Sequence, residues 1–290
     1  MDVIAIVLAT VLVILVGWYL SNGRGMPWTA FNAKFAWVRG GIYFCLCWLL
    51  SWYSGGLEGI LNEVRGTAGR AIVQAGQLQD WRWVGYTALC FGFIFMAYSV
   101  IWVRYTVRFN RPKYNGSALI FGILWGSSSG QLFLATWLLA TKAVSGIDAS
   151  WVNQPVLAWV IAWSLMGIWQ PNFHGIYWDH YIAPEHDTAL TQKVKALSCH
   201  VPNLIITLIY LAVHGNWAIF VLLQIIACVS ATWGMHYPAP WATSTELDFA
   251  HRTVGTKIPR CTGYISDDYT TDPFTPFHPG WTGPKQTASA

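Results

Sequence analysis

Between Trp169 and Asp187 the chain reads WQPNFHGIYWDHYIAPEHD. These 19 residues hold three histidines (His174, His180, His186), three carboxylates (Asp179, Glu185, Asp187), two tyrosines and two tryptophans. Imidazole and carboxylate together form the ligand set of non-haem metal centres. Iron is the favoured ion, with zinc, copper and manganese as alternatives. Such an ion, set low in a helical bundle, could activate oxygen or water against an apolar substrate. The candidate metal ligands are His174, His180, His186, His200 and His236. Asp179, Glu185 and Asp187 are candidate ligands or general acids and bases, a role favoured where a partly apolar setting raises a carboxyl pKa. Tyr177, Tyr181, Trp178 and Asn172 would surround the ligands. Tyr177, Trp178 and the distant Gln131 are the candidate substrate contacts.

The spacing limits this chemistry. His174, His180 and His186 recur every six residues, which puts successive imidazoles on different faces of a helix. The short H-x₃₋₄-H boxes of membrane hydroxylases and desaturases do not occur. A metal site therefore requires the helix to break, at Gly175 or Pro184. Without a break, the same groups cap helix ends and hydrogen-bond at a membrane interface, or perform metal-free acid–base chemistry or ligand binding. His200 and His214 lie 14 residues apart, close to one helix face and about 21 Å along it. That spacing resembles the paired haem ligands of the cytochrome b family, but no second helix carries a matching pair, so haem is not expected.

The elements that must position these groups are apolar. Of 290 residues, 54% are hydrophobic and 10% charged, against about 25% charged in a soluble domain. Nineteen tryptophans point the same way, because the indole ring favours the membrane–water interface. Seven apolar spans are expected, near 3–20, 37–53, 84–103, 117–141, 152–169, 199–213 and 217–235. The first lacks a basic leader and a cleavage motif and reads as a retained span. Between spans two and three, Leu57, Ile60, Leu61, Val64, Ala68, Ala71 and Ile72 recur at steps of three and four. They predict one amphipathic helix over about 57–79, lying at the interface or against the bundle. Within span four, Trp125-Gly-Ser-Ser-Ser-Gly-Gln131 reads as a close-packed helix contact or as a polar cavity wall.

With the N-terminus outside, the inner segments carry 13 Lys and Arg and the outer segments 4. That asymmetry predicts an N-out, C-in topology. It places His174, His180, His186, His200 and His236 at one membrane face, the cytoplasmic one. Residues 238–290 are polar and rich in Pro, Gly, Thr and Asp, and predict an irregular cytoplasmic tail. The six cysteines avoid the outer loops, so no disulfide framework is expected.

The run Arg111-Pro-Lys-Tyr-Asn-Gly116 resembles part of the R-H-P-x-Y-x-G sequence of isoprenylcysteine methyltransferase-like membrane proteins. Its histidine and the downstream acidic and aromatic signals are absent. A Pro and Gly turn carrying topogenic charges accounts for these residues.

The fold expected is thus an all-α integral membrane protein: about seven transmembrane helices (1–237), one outer amphipathic helix and a tail. Its place is the plasma or inner membrane. The function expected is a metal-dependent oxidoreductase acting on a lipid or other hydrophobic small molecule at the cytoplasmic interface. The alternative is a non-catalytic subunit binding a lipid, a pigment or a protein partner, the last through the tail. The net charge of +4 follows membrane topology and needs no nucleic acid. Charge-free spans without inverted halves weaken a transporter reading. The absence of a lysine within any span removes a retinal Schiff base.

Overall fold

The computed structural model describes residues 2–21, 33–101, 116–147, 153–178 and 196–233. Among the described residues every regular element is helical. They are α1 (Asp2–Ser21), α2 (Ala33–Ser54), α3 (Gly56–Arg65), α4 (Trp81–Met96), α5 (Gly116–Ser145), α6 (Gln154–Trp178), α7 (Val201–His214) and α8 (Trp217–Trp233). Residues 97–101 continue α4 as a π-helical turn, and a second π turn, Ala196–His200, leads into α7. The tail at 238–290 and the basic loop around Arg104–Lys113 lie outside the described residues.

Three stretches are long and apolar enough to cross a bilayer: Trp81–Ile101, Leu119–Ser145 and Leu197–His214. A fourth arises if α2 and α3, bent by 81° where they meet, count as one broken span. Val3–Leu15, Gln154–Trp169 and Trp217–Thr232 are shorter apolar helices. The bundle has an apolar core with polar side chains buried in it, and it exposes large apolar side chains on its outside. Ser51, Ser128, Gln131, Asn203, Thr207 and Gln224 are buried, while Ile4, Trp52, Phe95, Ile120, Val160 and Leu197 are exposed. Water penalises that distribution and hydrocarbon does not.

α5 is the central helix and packs on α1, α2, α3, α6, α7 and α8. Its tightest contact follows from sequence. Gly122, Gly126 and Gly130 recur every four residues and so share one face. A Cβ at Gly122 would lie 2.8 Å from the Cα of Val229, one at Gly126 2.5 Å from the Cα of Ile225, and one at Gly130 3.0 Å from the Cα of Val221. The partners descend as the glycines ascend, so α5 and α8 are antiparallel with their backbones in contact. This is the close packing that the small residues of span four allow.

The segment between α2 and α4 differs from its expected form. The helix ends at Arg65, not near 79. Gly66 takes a left-handed conformation (φ 68°), and the Thr67 N–H bonds back to Asn62 O at 2.9 Å, which closes the last turn. The three-and-four spacing of Ala68, Ala71 and Ile72 continues past a backbone that has already stopped. Gly56, Gly59 and Glu63 are the buried residues of α3, and Leu61 and Val64 of the apolar stripe are exposed.

Residues 66–80 then form a lid over the Gly215–Asn216 link between α7 and α8. The Asn216 and Gln77 amides bond reciprocally at 2.8 and 2.9 Å. Asn216 Nδ2 also donates to Ile72 O at 2.9 Å, and Trp83 Nε1 donates to Asn216 Oδ1 at 3.0 Å. Asp80 caps α4 by accepting from the Arg82 N–H at 2.9 Å. Asn216→Leu removes the anchor and leaves the buried Trp83 indole unpaired, a cost of about 1–3 kcal/mol. The half-buried Gln77 side chain then keeps only its bond from the Gln74 N–H. Faster amide exchange over Ile72–Asp80, with α5 and α8 unchanged, is the expected result. Unchanged exchange there would refute the lid.

Candidate functional site

The lid marks one end of the bundle. α5 runs toward it, since Lys142 Nζ near its C-terminus donates to Ser54 O at 2.8 Å. α6 runs away from it: Thr136 meets Met166, while Ala140 and Val144 cluster with Ala158 and Ala162. α4 also runs away and α7 returns, because Trp83 reaches Asn216 and Tyr98 reaches Asn203. The C-termini of α4 and α6 and the N-terminus of α7 therefore share the far end.

The sequence-predicted residues divide accordingly. His174, Tyr177 and Trp178 lie on the last turns of α6. That helix passes through Gly175 without a break, so the expected interruption there does not occur. His200 closes the π turn before α7. Asp179, His180, Glu185, His186, Asp187 and His236 lie outside the described residues. Gln131 sits elsewhere, buried between α5 and α2, where its Oε1 accepts the Ser51 hydroxyl. It serves the interhelical contact in company with Tyr43, whose phenol meets Ser129 Oγ at 3.2 Å. Among the described residues no three His, Cys, Asp or Glu side chains come together as a metal-ligand set.

At the far end the described residues build a different constellation. The two π turns face each other, and the Cys199 thiol donates to the Ala97 carbonyl across them at 3.2 Å. A π turn inserts one extra residue, widens the helix and re-aims its side chains, and such turns recur at functional sites. Tyr98, on the first, accepts a hydrogen bond from Asn203 Nδ2 at 3.0 Å, and its ring lies 6.2 Å from the His200 imidazole. Asn203 Nδ2 also approaches Gln224 Oε1 of α8 at 3.5 Å. Tyr98, Cys199, Asn203 and Gln224 are all buried.

The constellation is incomplete. Asn203 Oδ1 and Gln224 Nε2 are buried with no hydrogen-bond partner among the described residues. Exchanging N and O in both amides preserves their mutual bond and again leaves one donor and one acceptor over. In either orientation the pair therefore offers one free donor and one free acceptor. Leaving both dry costs about 1–3 kcal/mol each. Comparison with protein-family models, with curated proteins and with solved structures finds no match. Chemistry at this site is thus read from its own residues.

Sequence reasoning centred on histidines and carboxylates reached His200 and missed Tyr98, Asn203 and Gln224. The available signal was the rarity of carboxamides inside apolar spans. Asn203 and Gln224 interrupt otherwise hydrophobic helices, and a polar side chain at that depth must pair with a neighbouring helix or a ligand.

Proposed function

We propose that this chain is a multi-pass integral membrane enzyme acting on a lipid or other hydrophobic molecule, with its working site at the far end of the bundle. The concrete form is a metal-dependent oxidoreductase. The observation that carries the reading is the shared position of two helix ends: α6 delivers His174 and the π turn before α7 delivers His200. Residues 179–195 join those two ends. They hold Asp179, His180, Glu185, His186 and Asp187 in sequence. His236 follows α8, whose C-terminus lies at the same end by its antiparallel contact with α5. Iron suits a mixed imidazole and carboxylate set. Such an ion would supply oxygen activation, while the apolar exterior would let substrate arrive from the bilayer. The N-out, C-in orientation belongs to the same reading and rests on the 13 to 4 distribution of basic residues.

Elemental analysis of protein purified in mild detergent tests this directly. Near-stoichiometric iron, copper, manganese or zinc is expected, lost on His180→Ala and reduced on His200→Ala. Fully active protein that holds no metal would sink the oxidoreductase.

A second reading, a non-catalytic subunit that binds a lipid, a pigment or a partner protein, draws support from the amide pair. Asn203 and Gln224 offer hydrogen bonds without acid–base or ligand chemistry. Deleting Thr262–Ala290 separates the partner-binding form: loss of a co-purifying protein favours it, and unchanged assembly counts against it.

A further inference from the structure

We propose that the Asn203–Gln224 pair recognises the hydroxyl group of an otherwise apolar molecule, a long-chain or isoprenoid-type alcohol, at the junction of α4, α7 and α8. The proposal rests on the reading that the protein handles hydrophobic molecules in a bilayer; it does not rest on the metal.

The chemistry of the two unpaired atoms selects the ligand. Asn203 Oδ1 accepts and Gln224 Nε2 donates. A hydroxyl is the group whose chemistry matches both, with a proton to give to Asn203 Oδ1 and an oxygen to take the hydrogen bond of Gln224 Nε2. A carboxylate or phosphate only accepts and would set negative charge against Asn203 Oδ1. An ammonium only donates and would leave Gln224 Nε2 dry. Among the described residues, the charged side chains Glu63, Arg70, Asp80 and Lys142 are engaged at the lid end, away from this pair. An ether or ketone accepts but cannot reach Asn203 as a donor.

The surroundings fit such a head group. Tyr98 accepts from Asn203 Nδ2 and so holds the amide in place. Cys199 and Leu208 are buried apolar or weakly polar neighbours along α7. The two π turns widen both helices at this level, and Phe95, Met96 and Leu197 are exposed on the outer surface beside them. An alkyl tail leaving the site there meets apolar surface. Water offers the same hydroxyl chemistry without a tail, so the test must separate the two sources.

The test uses the full chain in mild detergent and three photoreactive probes of one length: a dodecyl alcohol, its methyl ether and the alkane. Labelled peptides are mapped by mass spectrometry. The alcohol should label α4, α7 or α8 peptides at least about tenfold more than the ether and the alkane, the discrimination expected when a site's buried polar groups lose their partner. Asn203→Leu and Gln224→Leu should each bring the alcohol down to the ether, and the double variant should add nothing, since one hydroxyl bridges both. Equal labelling by all three probes in the wild-type protein would mean that the pair holds water alone, and would overturn the proposal. So would a preference that survives both substitutions. If either leucine variant fails to fold, competition on the wild-type protein decides: unlabelled alcohol should displace the probe and unlabelled alkane should not. Binding is read without turnover, so alcohol preference in a protein that proves fully active without metal would leave this site standing while the oxidoreductase falls.

Discussion

Replacing Glu63 with alanine should destabilise the folded protein by about 3–5 kcal/mol, the usual cost of removing one partner of a buried ion pair. Glu63 sits on α3 with no exposed side-chain surface, 2.7 Å from the Arg70 guanidinium. The same carboxylate accepts from the Trp217 N–H at 3.1 Å and the Ala218 N–H at 2.7 Å. Those are free donors of the first turn of α8, where the helix dipole also favours negative charge. Arg70 in turn lies 3.8 Å over the Trp217 ring, and that ring packs on Gly59. One carboxylate thus joins the α3 helix, the lid and the start of α8. Its removal strands two N–H groups and a guanidinium together. Glu63→Gln keeps an acceptor and should cost less. Arg70→Ala should also cost less, because the buried carboxylate keeps the Trp217 and Ala218 N–H donors at the start of α8. Thermal unfolding in detergent reads the order: Glu63→Ala lowest by on the order of 10 °C, with the other two between it and wild type. A Glu63→Ala protein as stable as wild type would remove the carboxylate from this role.

The second large effect is a contrast of sign between two glycines. Gly126→Leu should separate α5 from α8 and cost about 3 kcal/mol or more, because backbone cannot yield as a side chain can. A Cβ at Gly126 alone would approach the Ile225 Cα to 2.5 Å and the Gln224 carbonyl to 2.8 Å. Gly92, in α4, has no heavy atom within 4 Å of a built Cβ. Gly92→Ala should therefore be stabilising, by about 0.5–1 kcal/mol, through helix propensity alone. Apparent melting temperatures of the two variants, measured together, check both signs. A tolerated leucine at Gly126 would show that α5 and α8 are not in backbone contact. The same variant should also disturb the amide pair, since Gln224 lies on the face of α8 that Gly126 holds.

Much of the helical layout was legible beforehand because hydropathy is a local property. Each apolar stretch read from the chain coincides with a helix, but only three of the seven expected spans, or four with the bent pair of α2 and α3, are long and apolar enough to cross a bilayer. The lid segment was legible only in part. The stripe Leu57–Val64 reads as helix, but its end depends on Gly66 adopting a left-handed backbone, and spacing carries no information about that. Which of its residues pack inward is decided by tertiary contact: Gly56, Gly59 and Glu63 are buried and Leu61 and Val64 exposed.

The sequence by itself determined that these segments are apolar helices and that His174 and His200 flank one connection, because both follow from residue order and transfer free energy. Only the tertiary structure decided which side chains meet. Glu63 and Ala218 are 155 residues apart, Tyr98 and Asn203 105, and Asn203 and Gln224 sit on separate helices. Such pairs depend on helix rotation and register. Those are set here by the backbone approach of α8 along Gly122, Gly126 and Gly130 and by the two facing π turns, so the unfilled donor and acceptor appear only when α4, α7 and α8 are assembled.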